Sequence, residues 1–398
     1  MGISRRCRHW TESRGEEEMS VDLSIVIVNF NSAHFLPRLL ESIAAQEWGV
    51  EGRPGSYEII LIDNASKGED TAEIEALLGD PRVRYVQNTL NLGYGQANNQ
   101  GFAVSTGRYH MILNPDTMFL PGCFQEMVGF LENHPEADVV GPLAYMDPLG
   151  RVMMPPNELP TPELVALQTK AQTCADAAER LLAQRTRFAF DYWSATEPIE
   201  LEMLSGSCVL FRRELFADEA PFDPGFPLYY EDTDMFVRLR KAGKRLFHLP
   251  AAKMLHYWSQ SAGTHARGAQ YRERISARRY YEKHFGIDAV GVYEESVRQS
   301  MATKNSGTHV IPLEYEHVEA GQASPIFPVD PHHDDYYIEF AGNPIFTLAV
   351  GMFPEEKGDF SVSQIMWDQL GPGDYWIRMI DRETLKTIRG WVVSKSQV

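Results

Sequence analysis

Residues 23–28 read LSIVIV, an unbroken apolar, β-branched run of the kind buried on both faces of a parallel sheet. The run stops at Asn29-Phe30-Asn31-Ser32 and gives way to Leu36, Leu39, Leu40 and Ile43 at helical spacing. The same alternation recurs down the chain. Residues 58–62 (EIILI) stop at Asp63-Asn64-Ala65-Ser66, and Ile74, Leu77 and Leu78 follow on one helical face. Residues 83–86 lead into a turn-rich stretch at 88–95 and a helical pattern to 104; residues 110–113 then stop at Asn114-Pro115-Asp116. Four alternations of strand and helix predict an α/β layer with a mainly parallel sheet and right-handed crossovers.

Beyond residue 150 the rhythm breaks. Pro155, Pro156, Pro160 and Pro162 open an insertion, 150–200, with an amphipathic helix over 164–182. Strand character returns at 201–211, a helix with acids in its first turn at 229–241, and a helix dense in Arg and Tyr at 266–285. Residues 301–324 read as a linker. Residues 325–398 read as a small all-β domain, with strands at 336–340, 345–350, 375–380 and 386–393. Residues 1–19 are expected to be a disordered tail, and 20–300 the main α/β domain.

In open parallel sheets a ligand sits beyond the carboxyl ends of the strands. Here those ends carry Asn29 and Asn31, Asp63 and Asn64, Asn91, then Asn114 and Asp116, which together describe a polar pocket. Asn114-Pro115-Asp116 is a common turn, but its carboxylate could also hold a divalent cation that bridges phosphate oxygens. In Tyr229-Tyr230-Glu231-Asp232-Thr233-Asp234 the acids suit a helix N-terminus, and one of them could serve as a general base. His256 would add an imidazole to oxygen ligands, which suits Mn²⁺ better than Ca²⁺. Segment 267–283 holds six bases against two acids; it is either a solvated helix face or an anion-binding patch for pyrophosphate or a membrane surface.

Composition narrows the classes. Lys+Arg 37 against Asp+Glu 55 leaves a net charge of −18, which excludes a nucleic-acid coat but not a single nucleotide bound through a metal or local patch. Four cysteines without a CxxC pair exclude a disulfide scaffold and a zinc ribbon. No apolar run is long enough to span a bilayer, and the basic N-terminus lacks an apolar stretch, so a cytoplasmic location is expected. Neither GxGxxG at the first strand–helix turn, GxxxxGK[ST] nor GxSxG occurs, which argues against dinucleotide-binding, P-loop and nucleophile-elbow enzymes.

In this order, LSIVIVNFNS (23–32), EIILIDNASKG (58–68), NTLNLGYGQANNQG (88–101), ILNPDT (112–117), LSGSCVLFRRELF (204–216) and residues 222–263 resemble the inverting nucleotide-sugar glycosyltransferases of family 2. The likeness is strongest to the rhamnosyltransferase-like branch that builds surface polysaccharides. It implies the GT-A fold over most of 20–290 and does not reach the C-terminal strands. By that resemblance Asn29 and Asp63 contact the nucleoside, and Asn91, Gly93, Ala97 and Asn98 lie along nucleotide and ribose. Asn114 and Asp116 stand where the family carries its DxD motif. Asp116 and His256 would then hold Mn²⁺ or Mg²⁺ on the diphosphate, with Arg267 or Arg272 closing over it. Asp232, paired with Glu231, matches the base that deprotonates the acceptor hydroxyl.

The resemblance further implies a UDP- or dTDP-linked sugar donor and a glycan or lipid-linked acceptor. Ser205-Gly206 and Tyr229-Tyr230 would form the acceptor site, near Phe188, Phe190, Tyr192 and Trp193. Peripheral contact at the inner membrane face and a homo-oligomer are compatible with it. Two other classes compete: a sugar nucleotidyltransferase, which would need a basic Gly-rich loop where NFNSAHF stands, and a non-catalytic glycan or nucleotide-sugar binder. The C-terminal strands are open to three readings, a glycan-binding module, an oligomerisation surface, or a second contact to acceptor or partner.

Overall fold

The computed structural model describes residues 21–68, 70–257, 266–306, 310, 313–330, 333, 335–354 and 358–396. The expected tail at 1–19 and part of the last matching stretch, 258–263, lie outside the described residues.

The chain opens with β1 (Leu23–Asn29), α1 (Leu36–Ala44), a hairpin of β2 (Gly49–Val50) and β3 (Arg53–Pro54), β4 (Tyr57–Asp63), α2 (Asp70–Leu77), β5 (Val83–Gln87), α3 (Tyr94–Val104) and β6 (Tyr109–Leu113). β1, β4, β5 and β6 are mutually parallel in the order β6-β1-β4-β5. All of β1 is buried because the sheet is covered on both sides. Leu23, Ile25 and Ile27 pack with α1, while Val26 and Val28 pack with Ile60, Ile62 and Ala97 on the opposite face. The period-two split is what an unbroken apolar strand supplies.

Then come β7 (Thr117–Phe119), α4 (Cys123–Asn133), β8 (Val139–Tyr145) and β9 (Val152–Met153). The insertion forms two helices rather than the one expected: α5 (Pro162–Ala171) and α6 (Ala175–Trp193). Thr161 starts the first by accepting from the Leu164 N–H at 3.1 Å, with proline in the first turn. β10 (Ile199–Leu201), β11 (Cys208–Arg212), α7 (Glu231–Lys241), β12 (Leu246–His256) and α8 (Ala266–Phe285) follow. β11 runs antiparallel between β6 and β8, so the sheet is mixed but mainly parallel at its core. The α/β layer with flanking helices is therefore the one the sequence predicts. No described helix is long and apolar enough to cross a membrane.

The C-terminal part differs from a separate appendage. α9 (Ile287–Ser306) and β13 (Glu316–Ala320) occupy much of the stretch read as a linker. After them come β14 (Tyr336–Ala341), β15 (Val350–Met352), α10 (Gln364–Gln369), β16 (Gly373–Asp381) and β17 (Thr387–Lys395). β15 pairs antiparallel with β9, so among the described residues fifteen strands share one sheet running from β13 to β5. The strand expected at 345–350 is mostly a turn, with Phe346 and Leu348 at φ 53° and 59°, a left-handed conformation strands do not contain.

A buried polar cluster joins the C-terminal strands to the insertion. Arg378 donates from Nε to Glu339 at 2.9 Å and from a terminal nitrogen to Thr186 on α6 at 2.6 Å. Arg185 donates to the Phe346 carbonyl at 2.8 Å. Arg378→Ala leaves the Glu339 carboxylate buried without its partner and should cost about 3–5 kcal/mol in chemical denaturation. The double variant Arg378→Met/Glu339→Leu should cost much less, and equal losses in the two would contradict the pairing.

Candidate functional site

The parallel register places Asn29 opposite Asp63, and Asp63 opposite Gln87, at one edge of the sheet. Asn29 Nδ2 faces three acceptors: Asp63 Oδ1 at 3.2 Å, Ser66 Oγ at 3.0 Å and Asp70 Oδ2 at 2.7 Å. Its Oδ1 accepts from Ser32 at 3.0 Å, so the buried amide is used within the protein. Asp63 is fully buried, and its Oδ2 has no hydrogen-bond partner among the described residues. Burial, with the Asp63 carboxylate beside it, pushes the Tyr85 phenol up to about 12.

Asn64 holds the next loop. Its Nδ2 donates to Asn91 Oδ1 at 3.0 Å, and its Oδ1 accepts from the Leu92 N–H at 3.0 Å. Asn91 Oδ1 in turn accepts from the Gly93 N–H at 2.9 Å. Gly93 has φ 87°, and a Cβ there would lie 2.8 Å from the Pro227 carbonyl oxygen, so only glycine fits before α3. Asn98 is buried with Oδ1 unpartnered among the described residues, whereas Ala97 is fully buried in the core against the sheet.

Asn114-Pro115-Asp116 leaves β6 on a turn fixed at both ends. The Asn114 N–H donates to the Ser207 carbonyl at 2.8 Å, and the Tyr257 N–H to the Asp116 carbonyl at 2.9 Å. β7 pairs with β12 so that Thr117 lies opposite His256, which brings His256 Nε2 to 3.4 Å from Asp116 Oδ1. Both side chains are buried, and His256 Nδ1 has no hydrogen-bond partner among the described residues. A carboxylate and an imidazole on one small site fit a divalent cation. No third His, Cys, Asp or Glu joins them among the described residues, so the remaining ligands would come from bound substrate or water.

Across the Leu204–Ser207 loop lies the acidic turn of α7. Tyr229 and Tyr230 precede it at φ 60° and 63°, two consecutive left-handed residues that are not glycine. Asp232 Oδ1 accepts from the Thr233 N–H at 2.7 Å. A Cβ built on Gly206 would lie 2.4 Å from Asp232 Oδ2, so the loop backbone rests directly on this carboxylate. Tyr94, the first residue of α3, donates its hydroxyl to the Gly206 carbonyl at 3.3 Å. Glu231 is buried, with Oε2 unpartnered among the described residues. Burial, then the Asp232 charge, pushes Glu231 up to about 8; burial also raises Asp232, against the Thr233 hydrogen bonds. Asp234 points into the fold, where His284 and Lys283 each lie 2.7 Å from Oδ1 and Arg238 3.0 Å from Oδ2; these bonds hold its carboxyl below the usual range despite burial.

The basic segment divides. Arg279 and Lys283 pair with Asp223 at 2.9 and 2.8 Å, and Arg278 with Glu294 at 2.7 Å, so these three tie α8 in place. Arg272 donates to the Gly268 carbonyl of its own helix at 3.4 Å, and the Arg267 side chain lies outside the described residues. Of the insertion aromatics, Tyr192 and Trp193 are buried in packing rather than open as an acceptor wall. Tyr192 stacks on His248 at 4.0 Å, and Trp193 Nε1 donates to the Met154 carbonyl at 2.8 Å. Sequence reasoning did not single out Ser66, Asp70 or Tyr94. The polar run after β4 was the signal for Ser66 and Asp70, and the glycine-flanked start of α3 the one for Tyr94.

Residues 24–219 match the model of glycosyl transferase family 2. An N-acetylglucosaminyl-diphospho-decaprenol L-rhamnosyltransferase of Mycobacterium tuberculosis is 30% identical over 264 residues, 61% of this chain and 78% of the relative. The chain belongs to glycosyl transferase family 2. An uncharacterized glycosyltransferase of Bacillus subtilis is 28% identical over 66% of this chain and 84% of its own length. Among solved structures, a Pyrobaculum calidifontis mannosyltransferase in complex with GDP-Man and Mn²⁺ aligns at TM-score 0.43 and 14% identity, over 73% of this chain and 77% of that one. This family 2 glycosyltransferase thus carries the Asn114-Asp116 turn and the Glu231-Asp232 pair against one loop, Leu204–Ser207.

The raised Glu231 gives a pH test. The folded chain keeps its proton up to about 8, whereas the unfolded chain releases it near the ordinary carboxylate value, so stability falls as pH rises through that window. Glu231→Gln should therefore gain thermal stability relative to wild type between pH 5 and pH 8.5, by ~2 °C or more at the upper end. A difference in melting temperature that does not change with pH would rule out a buried, protonated Glu231.

Proposed function

We propose that this glycosyltransferase is metal-dependent and inverting, and moves a sugar from a UDP- or dTDP-linked donor to a hydroxyl of a lipid-linked saccharide. One observation carries the reading: the Leu204–Ser207 loop separates a carboxylate–imidazole pair from a half-buried carboxylate. Ser207 anchors the Asn114-Asp116 turn, and Gly206 rests on Asp232. An in-line displacement at an anomeric carbon needs charge neutralisation on the leaving side and a base on the acceptor side.

Asp232 accepts the acceptor hydroxyl proton as that oxygen bonds to the anomeric carbon. The bond from that carbon to the diphosphate breaks, and the nucleoside diphosphate leaves with the electron pair. Asp116 and His256 would hold a Mn²⁺ or Mg²⁺ ion. When bound, such an ion offsets the charge developing on the diphosphate. Asp63, buried with one oxygen unpartnered among the described residues, would accept from the nucleobase; Asn91, Gly93 and Asn98 shape the adjoining wall. Asn29 orients Asp63, and Ala97 supports the wall from below. The relative that acts on a diphospho-decaprenol substrate supports a lipid-linked acceptor and work at a membrane surface.

Asp232→Asn should keep donor binding and lose on the order of 10²–10⁴ in turnover, the usual contribution of one positioned base. Near-wild-type turnover would refute the assignment. Asp116→Ala should abolish the increase in nucleoside diphosphate affinity that Mn²⁺ brings in calorimetry, while metal-free binding persists. An undiminished Mn²⁺ effect in that variant would remove Asp116 from the metal site.

A further inference from the structure

Tyr94 links the wall proposed for the nucleotide to the acidic turn of α7. It is the first residue of α3, directly after Asn91–Gly93, and its ring meets Phe222 edge-on at 6.2 Å. Asn99, farther along α3, exchanges two hydrogen bonds with the Phe222 backbone, at 2.8 and 3.1 Å, which fixes α3 to that residue. A Cβ on Gly95 would lie 3.4 Å from the Glu231 Cβ, so the first turn of α3 packs on the acidic turn itself. From this frame the Tyr94 hydroxyl reaches the Gly206 carbonyl at 3.3 Å.

Gly206 has no side chain by which to be held, and a Cβ there would meet Asp232 Oδ2 at 2.4 Å. It is held by its backbone: its carbonyl takes the Tyr94 hydroxyl, and the next carbonyl, that of Ser207, takes the Asn114 N–H at 2.8 Å. Its placement matters to Asp232. Burial raises that carboxyl, and the Thr233 N–H and hydroxyl and the Gly206 N–H act against burial, because hydrogen bonds to the charged form favour it. The titratable groups facing Asp232 are Glu231 from α7 and Tyr94 from α3. Burial, then the Glu231 and Asp232 charges, hold the Tyr94 phenol well above its ordinary value, so it keeps its proton and remains a donor to the carbonyl.

We propose that Tyr94 is a positioning residue: by holding the Gly206 carbonyl it seats the Leu204–Ser207 loop on Asp232 in the arrangement in which that carboxylate takes the acceptor proton. The inference rests on the reading of Asp232 as the base. Acting through Gly206, Tyr94 governs the rate of that proton transfer and not the affinity for the donor.

Tyr94→Phe removes the hydroxyl and keeps the ring. Turnover is read on the full-length protein as nucleoside diphosphate released from UDP- and dTDP-linked sugars, with Mn²⁺ and a saccharide on a lipid diphosphate as acceptor. The variant should lose about 3–10-fold in kcat, the worth of one neutral hydrogen bond, and hold the donor KM within ~2-fold. The acid limb of its kcat–pH profile, set by the Glu231–Asp232 pair, should move to higher pH, since the ionised Asp232 has lost a donor. In the Asp232→Asn background the same substitution should cost no further turnover, because the group it serves is gone. Undiminished kcat, an acid limb that stays in place, or losses that add in the double variant overturn the role of Tyr94 and leave Asp232 as the base. Near-wild-type turnover in Asp232→Asn alone overturns the base, and the role of Tyr94 with it.

Discussion

The parallel pairing of β1 with β4 puts Asn29 opposite Asp63, and the position of every other group on the polar edge follows from it. A one-residue slip of either strand would turn its side chains to the opposite face and break this pairing. At the observed register one amide serves three acceptors, two of them carboxylates. Asn29 is thereby a fixed donor that holds Asp63 and Asp70 together, not a free arm for a ligand. What it leaves is one Asp63 oxygen without a hydrogen-bond partner among the described residues, in a site dry enough for that oxygen to matter. Asn64 repeats the arrangement one residue later for the loop that ends at Gly93.

At the start of α7 the same problem, a carboxylate kept out of water, is met by backbone strain. Two left-handed tyrosines cost on the order of 1–3 kcal/mol each and persist only where the surroundings over-determine them. Those surroundings are specific. Asp234, two residues past Asp232, takes Arg238, Lys283 and His284, and so fixes the first turn of α7 to α8. Asp223 takes Arg279 and Lys283 from the same helix. Two bases of the basic island, Arg279 and Lys283, therefore help hold a strained acidic turn, while Arg278 ties α8 to Glu294.

Much of this was legible in the sequence, for a physical reason. Strands buried on both faces must be apolar throughout, so β1, β4 and β6 announce themselves, and their polar stops mark the edge where a ligand would sit. Helix α8 was readable over 266–285 from its density of Arg and Tyr, and Ala277, Tyr280 and Tyr281 form its buried side. The pairing that joins the C-terminal strands to the main sheet was not. It runs through Val152 and Met153, a two-residue strand too short to show a period. Nor could composition say whether Tyr192 and Trp193 face a ligand or a core, since both environments favour large aromatic surfaces.

That hidden pairing alters what the C-terminal strands are for. Tyr337 on β14 packs against Phe190 at 5.4 Å, and Arg378 on β16 holds Thr186, so both strands grip α6. From α6, Tyr192 stacks on His248 of β12. β12 is the strand that ends at His256, 3.4 Å from Asp116. A close-packed interior passes such constraints on with little slack. The C-terminal strands thus buttress the histidine side of the candidate metal pair through one helix, a role that needs no ligand of their own.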